Sequence, residues 1–227
     1  MGKSWGKIMI GVRREKLVIG NFFDNWTLFL VQGGMRDGDG VAIAQAMPAH
    51  HAANELGRKL MASKFDTLCI IDSDASFPIN TLEKMRRLQA GQEFDILQAF
   101  YVTRMFPMTP LWLIHDAKKN VWTRKEVRTE TTEEVQAVGF HFTLIRRTVL
   151  EKLERPWFYY PRDELSSEDV PFCNDARAAG FRIGATSEVK TRHWGEYPFG
   201  WGEYQEQLAR REAAKEVLPP FDAPAPT

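Results

Sequence analysis

The first apolar run of the chain, residues 7–12, predicts a buried strand, and the aromatic-rich residues 21–31 predict the helix after it. Residues 33–40 read as a loop by their glycine and aspartate content. Residues 49–62 predict a second helix with Leu56, Leu60 and Met61 on one side, leading to the strongest strand signal, residues 67–71, which ends at Asp72. Pro78 suits the first turn of a helix that runs to about Gln89 and stops at Gly91, and residues 94–101 return to strand. From residue 111 to 132 the pattern shortens to small strands around Lys118-Lys119-Asn120, which predicts a hairpin. Residues 135–142 predict another strand passing into a helix at 148–153. A helix over residues 170–179 closes at Gly180, where a left-handed cap is favourable, and residues 181–183 resume extended structure. After Gln205 come a charged helix and a proline-rich end, 219–227, with the composition of a mobile terminus.

Alternating helices and strands predict an α/β domain whose ligands sit beyond the carboxyl ends of the strands, with Asp72 at that edge. The expected organisation is one catalytic domain over residues 1–205, followed by the charged helix and tail over 206–227.

Composition fits this picture. The 227 residues are 44% hydrophobic, enough for one full core. Thirty basic residues balance thirty acidic ones, so no strong net field draws the chain to nucleic acid or anionic lipid. The apolar stretch 18–31 is broken by Asn21, Asp24 and Asn25, which argues against a membrane span of about 20 apolar residues. No secretory pattern stands out in residues 1–11. Cys69 and Cys173 both fall in core-like segments, so reduced thiols in a cytoplasm are the expectation.

The segment richest in chemistry is the apolar strand that runs into Asp72-Ser73-Asp74. In extended chain residues two apart face the same way, so both carboxylates can converge on one cation or one ribose. Hard oxygen ligands of this kind suit magnesium or manganese bound together with substrate phosphates. The bland alternative is a turn whose carboxylates accept backbone N–H bonds. Ser167-Glu168-Asp169 likewise reads first as the capped, acidic start of a helix. Functionally, a carboxylate there could project into the cleft and take a proton from a hydroxyl.

Three segments taken together resemble the GT-A glycosyltransferases, particularly family 2-type enzymes and their small phage-like relatives. They are the strand with Asp72-Ser73-Asp74, the segment Gly139-Phe140-His141-Phe142-Thr143-Leu144-Ile145-Arg146-Arg147, and Ser167-Glu168-Asp169 with its Ala-Gly-Phe helix end. Val189-Lys190-Thr191-Arg192-His193-Trp194-Gly195 is a fourth match, similar to the late histidine of that family. The resemblance implies a single-domain GT-A fold: a mixed, mostly parallel sheet flanked by helices. It implies Mn2+ or Mg2+ and a UDP- or GDP-sugar donor, with Asp72 at the ribose or metal and Asp74 and His193 as metal ligands. Asp169 would be the general base of an inverting transfer and Glu168 the secondary candidate.

Further donor contacts are sought at Arg13, past the first strand, at Arg104, past the strand 94–101, and at Trp194 beside His193. Many relatives carry an Arg-Asn pair before the Asp-x-Asp strand; the nearest fit here is Ala53-Asn54, leaving Asn54 as the candidate. Two rival readings exist. A haloacid dehalogenase-like phosphohydrolase also places Asp-x-Asp at a strand end, but its pattern prefers threonine or valine where Ser76 stands. A catalytically silent carbohydrate-binding or virion-associated module on the same fold is the non-enzymatic rival.

Overall fold

The computed structural model describes residues 6–15, 18–45, 47–116, 118, 121–161, 167–195 and 198–214. The chain opens with β1 (Ile8–Arg14), α1 (Gly20–Val31), β2 (Gly40–Gln45), α2 (Ala49–Met61) and β3 (Thr67–Asp72). Next come β4 (Ala75–Ser76), α3 (Thr81–Gly91), β5 (Ile96–Phe100), β6 (Trp112–Asp116) and β7 (Val121–Arg124). Short strands β8 (Thr132–Glu134) and β9 (Ala137–Val138) precede β10 (Phe142–Arg146), α4 (Arg147–Lys152) and α5 (Asp169–Ala178). The last elements are β11 (Ile183–Lys190), β12 (Arg192–Trp194), β13 (Pro198–Phe199) and α6 (Trp201–Ala214).

Seven strands form the central sheet in the order β2-β1-β3-β10-β5-β11-β8. β2, β1 and β3 are parallel to one another, as are β5 and β11, while β10 and β8 run against their neighbours. The sheet is therefore mixed and mostly parallel, as expected. Its central strands β3, β10 and β5 are buried along almost their whole length and mostly apolar, as expected of strands covered on both faces. Side chains of β3 alternate between two cores: Leu68 and Ile70 meet Leu56 and Leu60 of α2, while Cys69 and Ile71 meet Phe29 of α1 and Met85 of α3. Both cysteines are free and buried.

Several boundaries differ from the sequence expectation. β2 was not foreseen, although Val41-Ala42-Ile43-Ala44 is a short apolar run; it is an edge strand that turns only small Ala42 and Ala44 inward and leaves Val41 and Ile43 exposed. Residues 135–142 are not one strand: Ala137–Val138 pairs with β6, and the chain then crosses at Gly139 to enter the central sheet as β10. At Gly139 a Cβ would lie 1.9 Å from the Tyr101 hydroxyl, which makes glycine the residue for this close crossing. α3 starts at Thr81 after Pro78 and includes Gly91; the reversal falls instead at Glu93, with φ 57°. The hairpin pairs β6 with β7, its tip residues Lys119 and Asn120 lying outside the described residues. α6 begins at Trp201, before Gln205, and buries Tyr204 and Leu208 in the core. The proline-rich end 219–227 lies outside the described residues. No helix among the described residues is long and apolar enough to cross a membrane.

Candidate functional site

Asp72 closes β3 between β1 on one side and β10 on the other, opposite Arg13 of β1. Its N–H donates to the His141 carbonyl at 3.1 Å, and the Ser73 N–H to the Arg13 carbonyl at 3.2 Å. The chain then turns at Ser73 and Asp74 rather than staying extended. β4 follows and pairs antiparallel with β12, setting His193 opposite Ala75. This second small sheet carries His193 to Asp74. Trp194 holds the joint, its backbone N–H on the Asp74 carbonyl and its indole N–H on Ser76 Oγ, both at 2.8 Å.

Arg13 is the hub of the acidic cluster. Its Nε and Nη2 grip both oxygens of Asp72 at 2.7 and 3.0 Å, its Nη1 donates to Glu168 Oε1 at 2.6 Å, and Nη2 also reaches the Phe140 carbonyl. Burial alone would lower the guanidinium's pKa, but Asp72 and Glu168 reverse this and raise it. Burial would likewise raise Asp72, whereas Arg13 and then His141 hold it below the ordinary carboxylate range. A guanidinium so occupied is a brace for two carboxylates, and it is not presented as a free phosphate ligand.

Beside this brace, one ligand atom each from Asp74, His141 and His193 lies within 4.8 Å of the other two. His193 Nε2 is 3.1 Å from Asp74 Oδ2, and His141 Nδ1 is 3.6 Å from Asp74 Oδ1 and 3.9 Å from Asp72 Oδ2. Asp74 Oδ1 and His141 Nδ1 are buried without a hydrogen-bond partner. Arg104, half exposed in the loop after β5, reaches Asp74 Oδ2 at 2.8 Å. Burial pushes the Asp74 pKa up, yet the His193 contact and the charges of His141, His193 and Arg104 outweigh it and hold it at about 2. His193 is lowered, by burial first and then by His141.

Asp169 is the first residue of α5, partly accessible at the cleft wall. Its Oδ1 accepts the Val170 N–H at 3.0 Å and the Ser167 hydroxyl, so it does serve the start of its helix. Burial and the adjacent Glu168 charge nevertheless raise its pKa to about 6, against the opposing pull of Ser167 and Arg13. Ser166 lies outside the described residues. Asp169 shares a cleft of about 460 Å³ with Arg13, Asp72, Tyr101, Arg104 and His193. A second hollow of about 230 Å³, on the side of Glu15, Met47 and Ala52, shares Asp72, Arg104 and His193 with the first and reaches Asp74.

The fold thus brings Arg13, Asp72, Asp74, Arg104, Glu168, Asp169 and His193 to one edge of the sheet. Two residues expected to contact the donor lie elsewhere. Asn54 is buried in α2, donating to the His50 and Phe158 carbonyls at 2.8 and 2.6 Å and accepting from the Trp157 and Phe158 N–H groups, so no polar atom remains for a ligand. Trp194 lines neither hollow and braces the turn that carries Asp74. Asp72 has both oxygens on Arg13, and the three donors that converge are Asp74, His193 and His141. His141 was missed as a site residue: an isolated histidine in an apolar segment reads as packing. Tyr101, stacked on His141 with ring centroids 4.6 Å apart, was missed for the same reason.

Searched by sequence, the chain matches no protein-family model and no curated protein. By structure it is similar to A197 from STIV, with a TM-score of 0.59 and 19% identity over 83% of this chain and 86% of that one. GalNAc-T7, solved with UDP, GalNAc and Mn2+, gives a TM-score of 0.53 at 8% identity over 84% of this chain and 44% of its own. A UDP-glucose pyrophosphorylase complexed with UDP-glucose gives 0.52 at 10% identity, covering 92% of this chain and 99% of that one. At these identities what is shared is the fold. The chain has the GT-A-like α/β fold found in nucleotide-sugar enzymes.

Proposed function

We propose that the chain is a metal-dependent glycosyltransferase, similar to family 2-type enzymes, that moves a sugar from a UDP- or GDP-sugar to an acceptor hydroxyl with inversion. The observation that carries this reading is the position of Asp169, at the start of α5 in the same cleft as Asp72 and His193, where burial and the Glu168 charge raise its pKa to about 6. Such a group is matched to accepting a proton near neutral pH. Glu168 is the weaker candidate because Arg13 already occupies it at 2.6 Å.

In this reading the nucleotide lies in the hollow beside Glu15 and Met47, and the acceptor enters from the Asp169 side. Asp74 and His193 would hold the divalent ion, Mn2+ or Mg2+, whose charge would offset that of a departing diphosphate. Asp72, braced by Arg13, receives the ribose. The acceptor oxygen bonds to the anomeric carbon as the bond to the diphosphate breaks, and the acceptor proton passes to Asp169. A cytoplasmic setting accords with the two free, buried cysteines.

Nucleotidyl transfer is the second reading, given the pyrophosphorylase likeness. There the attacking group is an already anionic phosphate, which leaves Asp169 without a task, so glycosyl transfer is favoured. A phosphohydrolase with Asp72 as nucleophile is disfavoured because Arg13 holds both oxygens. The test is a nucleotide-sugar panel with Mn2+, scored for released nucleoside diphosphate, with product configuration read by NMR. Inversion, and a ~100- to 10,000-fold loss of transfer in Asp169→Asn with donor still bound, are expected. Pyrophosphate-dependent formation of a nucleoside triphosphate would replace this reading with nucleotidyl transfer.

A further inference from the structure

We propose that the metal centre at Asp74 has a third protein ligand, His141 Nδ1, and that its two imidazoles make it select a first-row transition ion over magnesium. This deepens the function proposed above and rests on its placement of the ion at Asp74.

The far nitrogen of each histidine faces a backbone carbonyl: His193 Nδ1 lies 3.1 Å from the Val102 oxygen, and His141 Nε2 lies 3.2 Å from the Arg192 oxygen. A carbonyl only accepts, so each of these nitrogens carries the hydrogen. In the neutral ring the other nitrogen is then a bare lone pair, and both bare lone pairs point at Asp74. His193 Nε2 meets Oδ2 at 3.1 Å; His141 Nδ1 meets Oδ1 at 3.6 Å. That arrangement is satisfied by a proton on the ring or by a metal ion among the three groups, and one ligand atom from each of Asp74, His141 and His193 lies within 4.8 Å of the other two, as a single ion requires. Metal-ligating histidines are held in this way, with the second nitrogen donating to a fixed oxygen that sets tautomer and ring orientation.

The spacing agrees. Two ligands each about 2.1 Å from one ion at ordinary coordination angles are themselves roughly 3.0–3.5 Å apart. His141 is only 1% exposed, and its Nδ1 and Asp74 Oδ1 are buried without a hydrogen-bond partner, which leaves both open to a ligand held between them. Tyr101 stacked on the His141 ring keeps it in place. Imidazole nitrogen suits transition ions, whereas magnesium prefers an all-oxygen set. A donor set of two nitrogens and one carboxylate therefore discriminates by chemistry, with open positions left for phosphate oxygens.

The test uses the full chain stripped with a chelator and no nucleotide sugar. Calorimetry with Co2+, Mn2+ and Mg2+ separately is expected to rank them in that order, with Mg2+ at least ~10-fold weaker than Mn2+. Pulsed electron paramagnetic resonance of the Mn2+-loaded wild type is expected to show coupling to two imidazole nitrogens. His141→Ala should reduce this to one and weaken Co2+ binding ~10- to 100-fold. His141→Asp, which restores an oxygen ligand, should narrow the gap between Co2+ and Mg2+. Equal affinities for Mg2+ and Mn2+, or one nitrogen in the wild type, overturn the proposal even if the variants fail to fold. Two nitrogens without turnover of any nucleotide sugar would leave the centre standing and remove the glycosyl-transfer reading. Turnover with one nitrogen or none would do the reverse.

Discussion

Asp169 and Glu168 are neighbouring carboxylates with opposite surroundings, and the difference is measurable. Glu168 is neutralised at 2.6 Å by Arg13, whereas burial and the Glu168 charge raise Asp169 to about 6. A base must be deprotonated, so transfer should rise with pH up to about 6 and level off above it. Glu168→Gln removes a negative neighbour and releases Arg13, both of which lower the Asp169 pKa. The acid limb of the rate profile should therefore move to lower pH; an unmoved limb would detach the profile from this pair. The same shift has a cost in stability. A carboxyl whose folded pKa is raised binds its proton more tightly in the native state, so stability falls as pH rises through the interval from the unfolded value to about 6. Asp169→Asn escapes that penalty, and at pH 8 it should be more stable than wild type by ~1–3 kcal/mol, the lower end reflecting its partial exposure. The advantage should vanish near pH 4, which denaturant titrations at the two pH values would check.

At the scale of elements, much of the frame was legible because its causes are local. β3 reads as a strand since both its faces are buried, and α5 ends as expected at Gly180, with φ 91° and with the Gly180 and Phe181 N–H groups returning to the Arg177 and Ala176 carbonyls. What was illegible depends on distant partners. β2 is a four-residue apolar run inside a glycine- and aspartate-rich stretch, and its pairing to β1 is what makes it a strand. Asp74 and His193 could be linked only through resemblance, because β4 and β12 are too short to announce their pairing. The crossing from β9 to β10 is shaped by Tyr101 and by Arg13, which holds the Phe140 carbonyl, and neither partner is visible in residues 139–141 alone. That crossing carries His141, so its failure should reach the site. Gly139→Ala forces a methyl to within 1.9 Å of the Tyr101 hydroxyl and 2.9 Å of Leu111 Cδ1. Overpacking of this kind should destabilise by ~1–3 kcal/mol. Tyr101→Phe in the same chain removes the nearest atom, so the double variant should recover part of the loss in thermal unfolding; strict additivity of the two changes would contradict this origin.

Across the whole molecule, the site is assembled from β1, β3, the crossing before β10, the start of α5 and β12, all at one end of one sheet. Ligands that bind there recognise only the folded chain, and one present at 100 times its Kd should add about 2.7 kcal/mol to stability. If the site binds metal and nucleotide as proposed above, the two should not act independently, and Arg104 is placed to link them. With its guanidinium 2.8 Å from Asp74 Oδ2, it neutralises the carboxylate that the ion must share. Its side chain is 44% exposed, and its other hydrogen bond is a long one, 3.3 Å to the Trp194 carbonyl. An ion arriving alone must displace this charge, whereas an ion arriving with a diphosphate offers the displaced arginine a new anionic partner suited to bidentate bonding. Arg104→Gln should therefore tighten Mn2+ binding in the absence of nucleotide and weaken nucleoside diphosphate binding in its presence. The coupling between the two ligands, ordinarily 5- to 150-fold between linked sites, should shrink toward unity. Calorimetric titrations of Mn2+ with and without UDP or GDP, on wild type and Arg104→Gln, measure all four corners of that cycle. If the variant keeps the wild-type coupling, Arg104 is only a surface counter-ion for Asp74, and the link between metal and nucleotide runs through direct ligation of phosphate to the ion.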